Sequence, residues 1–335
     1  MDVDEAHQEE EIVPHPHEIL WYPDGDVVLA TDTLLFKVHK LILSLQSSVF
    51  RDMFAFPAVD GVQDASNGNG AGVQETYEGL PMVVLIGDKG KEVAHLLRTV
   101  YERSYYYRDD DGTPLEKITA LLVLSTKYDF RRIRSDVILQ ISRKYPISLK
   151  GYLGIDDDWA EMFGTRRMDC HYPLLNAVLK ADVECLLPLL YYACSDYLMQ
   201  GVLQNSRRLS MDPQSIIVLI SGRDALKDRI NSIVKGLPDE VRESAAQSCS
   251  SPTPKPCRKV AYFTGLDATC NTSDLGELNG KSIASAAFLK RACENCATHI
   301  AKFVDKKREE IWNELPSLFG LRCWKDLKEE LAKLS

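Results

Sequence analysis

The stretch Asp26–Phe54, DVVLATDTLLFKVHKLILSLQSSVFRDMF, constrains the fold of this chain more than any other. Two short β-type runs, Asp26–Ala30 and Leu34–Val38, are separated by a Thr-Asp-Thr turn. In the second run Leu34, Phe36 and Val38 alternate with Leu35 and Lys37, the period of a strand covered on one face. A His-Lys pair follows, and Leu41, Ile42, Leu43 and Leu45 then fall within five positions. Neighbouring helical positions diverge by about 100°, so a helix that short cannot turn all four toward one core. Either it is buried on several sides, or one face meets another chain. A Ser-x-x-Phe-x-x-Met-Phe segment closes the stretch.

Met82–Ile86 (MVVLI) reads as a buried strand. Lys91–Tyr107 places Val93, Leu96, Leu97, Val100 and Tyr101 on one helical face. Thr113-Pro114-Leu115-Glu116 reads as a helix start, with Thr as N-cap, Pro at the first helical position and Glu two residues further in. The helix it opens carries Leu115, Ile118, Leu121, Leu122, Ser125 and Tyr128, and Arg131–Tyr145 continues as another. This order of strands and helices, over Ile19–Tyr145, resembles a BTB/POZ domain, an α+β fold of a small sheet with helices used for protein–protein association. The resemblance implies dimerisation through the first helix, with Leu41, Ile42 and Leu45 at the interface. It also implies structural roles for Asp26, as a strand-edge carboxylate, and His39, as a buried imidazole that orients the strand-to-helix turn.

Net charge is −9 over 335 residues, with 45% hydrophobic and 27% charged residues, the composition of an ordinary globular chain of two or three domains. The first eleven residues hold six carboxylates and no Lys or Arg, which reads as a disordered acidic tail over 1–18. An acidic chain without a basic stripe is a poor match for direct nucleic-acid binding, which needs phosphate neutralisation. The N-terminus lacks the apolar core of a signal peptide, and the longest apolar stretch, Cys185–Cys194, is far short of the ~20 residues of a membrane span. Nine cysteines in a chain of this kind are expected to be reduced thiols in the cytoplasm or nucleus. Residues 57–80, Gly/Asn/Asp/Ser-rich in the middle, read as a surface loop inserted into the 19–145 domain.

After the first domain, 146–236 reads as helical. Pro173–Lys180 is a short helix; Val183, Leu186, Leu187, Leu190, Tyr191 and Cys194 follow in helical spacing with Pro188 among them. Asp212-Pro213 opens a further helix that Gly236 and Pro238 should end. Residues 237–258 read as a linker, and 259–335 as a second helical region with Trp312 and Trp324 as anchors and a stop at Pro316. The triplet Leu186-Leu187-Pro188, the pair Cys293-x-x-Cys296 and the motif Ile311-Trp312-x-x-Leu315-Pro316 resemble the helical C-terminal region of fungal-type BTB proteins.

Chemistry-bearing motifs are few. Cys293 and Cys296, with Cys257 and Cys270 upstream and His299 on the same stripe, are weak candidates for a zinc site. The loose spacing favours reduced thiols without metal, on a helix that packs against the segment bearing Trp312. Gly276–Ser282 nearly spells a phosphate-binding loop, but with three residues between its glycines where four are needed. It reads instead as a capped helix start at Ser282. Tyr105–Tyr107 with Arg103 and Arg108 are expected to pack on their own domain. No enzymatic constellation and no cofactor are expected. The expected function is a protein-binding scaffold or adaptor that forms a homodimer. The alternatives are a cullin-type ubiquitin-ligase adaptor and a zinc-stabilised regulatory protein.

Overall fold

A computed structural model of the chain describes residues 13–55, 75–155, 159–250, 257, 272–287 and 293–334. It divides into two compact units, 1–140 and 141–335.

The first unit is α+β. Strands β1 (His15–Trp21), β2 (Val27–Ala30), β3 (Leu34–Val38), β4 (Thr76–Tyr77) and β5 (Leu80–Val84) form one sheet in the order β1-β3-β2-β5-β4. β2 is apolar throughout and buried at every position, as a central strand covered on both faces requires. It pairs antiparallel with β3 and parallel with β5. The Thr31–Thr33 turn closes on itself, the Thr31 hydroxyl donating to the Leu34 carbonyl at 2.9 Å. Helices α1 (Lys40–Gln46) and α2 (Ser48–Ala55) break at Ser47, whose buried hydroxyl donates to the Tyr128 carbonyl and accepts from the Phe50 amide. Helices α3 (Gly90–Tyr101), α4 (Leu115–Lys127) and α5 (Arg131–Lys144) follow; α5 belongs to this unit as far as Gln140.

Several local expectations change. β1 starts at His15, inside the span read as tail, because it pairs parallel with β3 at the sheet edge. The inserted loop ends earlier than position 80, since Thr76–Tyr77 already pairs with β5; most of the rest of that loop lies outside the described residues. Leu35 is buried although it lies on the face of β3 opposite Phe36. It joins Val28 and Ala30 in a second small core under Trp21, Tyr77, Leu80 and Met82. β5 is only half-buried and Ile86 is exposed, so the MVVLI run is not a buried strand. The helix start moves on by one residue: Pro114 is the N-cap of α4, and the Thr113 hydroxyl donates to the Asp110 carbonyl instead.

The second unit is mainly helical. Its elements are α6 (Leu149–Tyr152), a hairpin of β6 (Glu161–Met162) and β7 (Thr165–Arg166), α7 (Arg167–Lys180), and a 3-10 turn (Glu184–Leu186) that leads into α8 (Leu187–Ser195). Next come α9 (Met199–Arg208), α10 (Pro213–Ser248), α11 (Gly280–Ala287), α12 (Glu294–Leu318) and α13 (Trp324–Ala332). Every residue of α8 is buried; Pro188 falls in its first turn, where no hydrogen bond is lost.

Four sequence boundaries are corrected here. α7 begins at Arg167 and carries Pro173 inside, flanked by buried Cys170, His171, Tyr172 and Leu174. α10 runs through Gly236 and Pro238 to Ser248, so the first half of the expected 237–258 linker is helix. Burial of Leu237 between those two breakers explains the continuation: tertiary packing outweighs local propensity. Pro316 lies within the last turn of α12 and does not stop the helix at Leu315. The regions 146–236 and 259–335 are one unit, because Trp312 donates to the Ile147 carbonyl at 2.7 Å and packs on Tyr152 and Tyr192.

His171 in α7 is fully buried, with the Tyr145 hydroxyl 2.8 Å from its Nδ1. Burial, helped by the nearby Arg167 charge, holds its pKa down to about 3. An unfolded histidine titrates near ~6.5. The unfolded chain therefore takes up a proton that the folded unit resists. The stability is complete above about pH 6.5 and is lost progressively as pH falls toward about 3. Urea unfolding is expected to show the second unit weaker by about 1.4 kcal/mol at about pH 5.5 than at about pH 8. His171→Gln should remove that difference; an unchanged pH dependence in the variant would rule out His171 as its source.

Candidate functional site

In α1 the leucine and isoleucine side chains separate by face. Leu43 is fully buried, Ile42 is half-buried, and Leu41 and Leu45 are 69% and 76% exposed. Leu41 and Leu45 are one helical turn apart and so share a face. Two leucines side by side in water form an uncovered apolar patch on the first unit.

The start of α1 is held from below. The Asp26 carboxylate accepts from the Lys40 amide at 2.8 Å, satisfying one of the unpaired donors of the helix N-terminus. His39 is the N-cap position and is half-buried, not fully buried as expected. Its amide donates to the Tyr101 hydroxyl at 2.8 Å and its Nε2 lies 3.3 Å from Asp24. Tyr22 stacks on Tyr101 at 4.8 Å, and burial pushes the Tyr101 phenol up to about 12. The junction is a rigid aromatic and hydrogen-bonded bracket that fixes the pose of α1. Tyr105 packs inward as expected, between Arg98 at 4.2 Å and Lys117 at 4.0 Å, whereas Tyr107 is exposed.

The second concentration of chemistry lies in the helical unit. Cys293 is the N-cap of α12 and Cys296 lies in its first turn. With them come Cys257 and Cys249, the C-cap of α10, so that the four sulfurs lie within 4.8 Å of one another. The Cys293 amide donates to the Cys257 sulfur at 3.2 Å. Burial raises the Cys293 thiol, but hydrogen bonds from Ser250 and the Cys296 backbone outweigh it and leave it lowered; burial and the neighbouring sulfurs raise Cys296.

Of the expected cysteine set, Cys257, Cys293 and Cys296 come together and Cys270 lies outside the described residues. Cys249 was missed: nothing in its local sequence marks it, since it joins Cys293 across 44 residues through the packing of α10 on α12. His299 points elsewhere, its Nε2 bonded to Glu240 at 2.6 Å. The helix that Cys293 caps does not pack against a separate segment bearing Trp312, because Trp312 lies in that same helix, α12.

The near-phosphate loop is a packing device. Asn279, not Ser282, caps α11, accepting from the amides of Lys281 and Ser282. A side chain at Gly280 would meet the Ala301 carbonyl at 2.2 Å, so this glycine permits α11 to start directly on α12.

Residues 24–65 match the family model of the BTB/POZ domain. The chain therefore carries a BTB/POZ domain, a protein–protein interaction module, followed by a mainly helical region. Comparison with curated proteins and with solved structures gave no match. Among the described residues no helix is long and apolar enough to cross a membrane.

Proposed function

We propose that this chain is a non-enzymatic scaffold or adaptor that self-associates through α1 of its BTB/POZ domain, while the helical unit engages a further protein. A cullin-type ligase assembly is one destination that the family resemblance implies. The observation that carries the reading is the exposed pair Leu41 and Leu45 on a helix whose start is rigidly bracketed. A two-fold contact would bury the same patch on both copies. Each leucine so covered contributes about 1.5–3 kcal/mol, and the bracket limits the ordering cost.

Light scattering of the full chain at micromolar concentration is expected to give twice the monomer mass. Leu41→Asp combined with Leu45→Asp should halve that mass without altering circular dichroism, because neither side chain supports the fold. Leu43→Asp should unfold the domain instead, since it buries an unpaired charge. A wild-type chain that stays monomeric, or a double variant that still dimerises, would refute self-association through this face.

A further inference from the structure

The four cysteines come from three separate places in the chain: the end of α10, position 257, and the start of α12. Packing nevertheless brings all four sulfurs within 4.8 Å of one another. Tetrahedral zinc with four thiolates at about 2.3 Å has sulfur–sulfur edges of about 3.8 Å, the edge being about 1.63 times the bond length. The sulfurs of Cys249 and Cys293 are 3.9 Å apart, and none of the four is more than 4.8 Å from another. The Cys293 amide donates to the Cys257 sulfur, a hydrogen bond that would stabilise the negative charge of a thiolate ligand.

We propose that Cys249, Cys257, Cys293 and Cys296 bind one zinc ion. Cys257 and Cys296 are buried and the other two half-buried, so the ion would be enclosed by four protein ligands with no open position. That is the arrangement of a structural site, not of a catalytic one. Binding replaces the thiol protons, which leave to solvent while each sulfur keeps its electron pair; no oxidation state changes. The ion fastens the end of α10 to the start of α12, alongside the Glu240–His299 contact that already joins these helices. The assignment reverses the expectation of metal-free thiols, and it stands independently of self-association through α1.

The full chain, purified without chelator or added metal, is analysed by elemental mass spectrometry and alkylation. About one zinc per chain is expected. Exchange with cobalt should give the visible absorption of a tetrahedral tetrathiolate, a readout that needs no variant. Cys249→Ser and Cys296→Ser should each lose the metal, whereas Cys270→Ser and Cys323→Ser should retain it. Metal-free protein whose four cysteines all alkylate in the native state overturns the site, as does a disulfide among them. Iron in place of zinc overturns the identity of the ion. Retention of stoichiometric zinc by Cys249→Ser together with its loss from Cys270→Ser overturns the ligand set.

Discussion

Trp312→Ala is expected to lower the unfolding free energy of the second unit by about 3–5 kcal/mol. Trp312 is 2% exposed and its ring centre lies 5.5 Å from that of Tyr152, 5.4 Å from Tyr192 and 6.2 Å from Trp324. Truncation removes a large apolar body from between three aromatic rings that cannot collapse into the space, so a cavity persists. It also strips the Ile147 carbonyl of its indole donor, while the Trp312 carbonyl itself still accepts from Trp324 Nε1. Trp312→Phe separates the two effects. It keeps most of the ring contact but leaves Ile147 without that donor, which should cost about 1–3 kcal/mol. Urea titrations followed by near-ultraviolet circular dichroism would measure both. A loss under about 1 kcal/mol for Trp312→Ala would mean that the aromatic cluster does not hold the unit together.

Gly222→Ala should destabilise the second unit by about 1–3 kcal/mol, although helix propensity alone favours alanine by about 1 kcal/mol. Gly222 lies inside α10, and a side-chain carbon there would meet the Phe319 ring at 2.0 and 2.2 Å. Phe319 is buried and stacked on Tyr191 at 5.1 Å, so the ring has nowhere to retreat. Gly236 on the same helix is the internal control. Nothing lies within 4 Å of an added carbon there, and Gly236→Ala should stabilise the unit by several tenths of a kcal/mol. Combining Gly222→Ala with Phe319→Ala tests the cause: once the ring is gone, the glycine substitution should cost nothing further. Equal effects of the alanine at 222 and 236 would show that the close approach to Phe319 does not matter.

The parts of this fold legible in the sequence are those set by neighbouring residues. β2 and β3 emerge at Val27–Ala30 and Leu34–Val38 because short apolar and alternating runs around a Thr-Asp-Thr turn have few other conformations. The overload of leucines in α1 was visible for the same reason: a single helix cannot bury every direction, and Leu41 and Leu45 are the residues left outside. The domain family followed from those same positions.

What periodicity could not give is what depends on surroundings. α8 is buried on every side, a state that helical spacing describes as one-faced. α10 passes through a glycine and a proline because Leu237 between them is buried in the tertiary core. Cys249 joins Cys257, Cys293 and Cys296 only because α10 and α12 lie alongside each other. The sequence by itself determined the run from β2 through α2 and the apolar face of α1, since local sterics and patterning act over a few residues. Only the tertiary structure decided which breakers are overridden and which distant sulfurs meet, because burial and convergence depend on residues far apart in the chain.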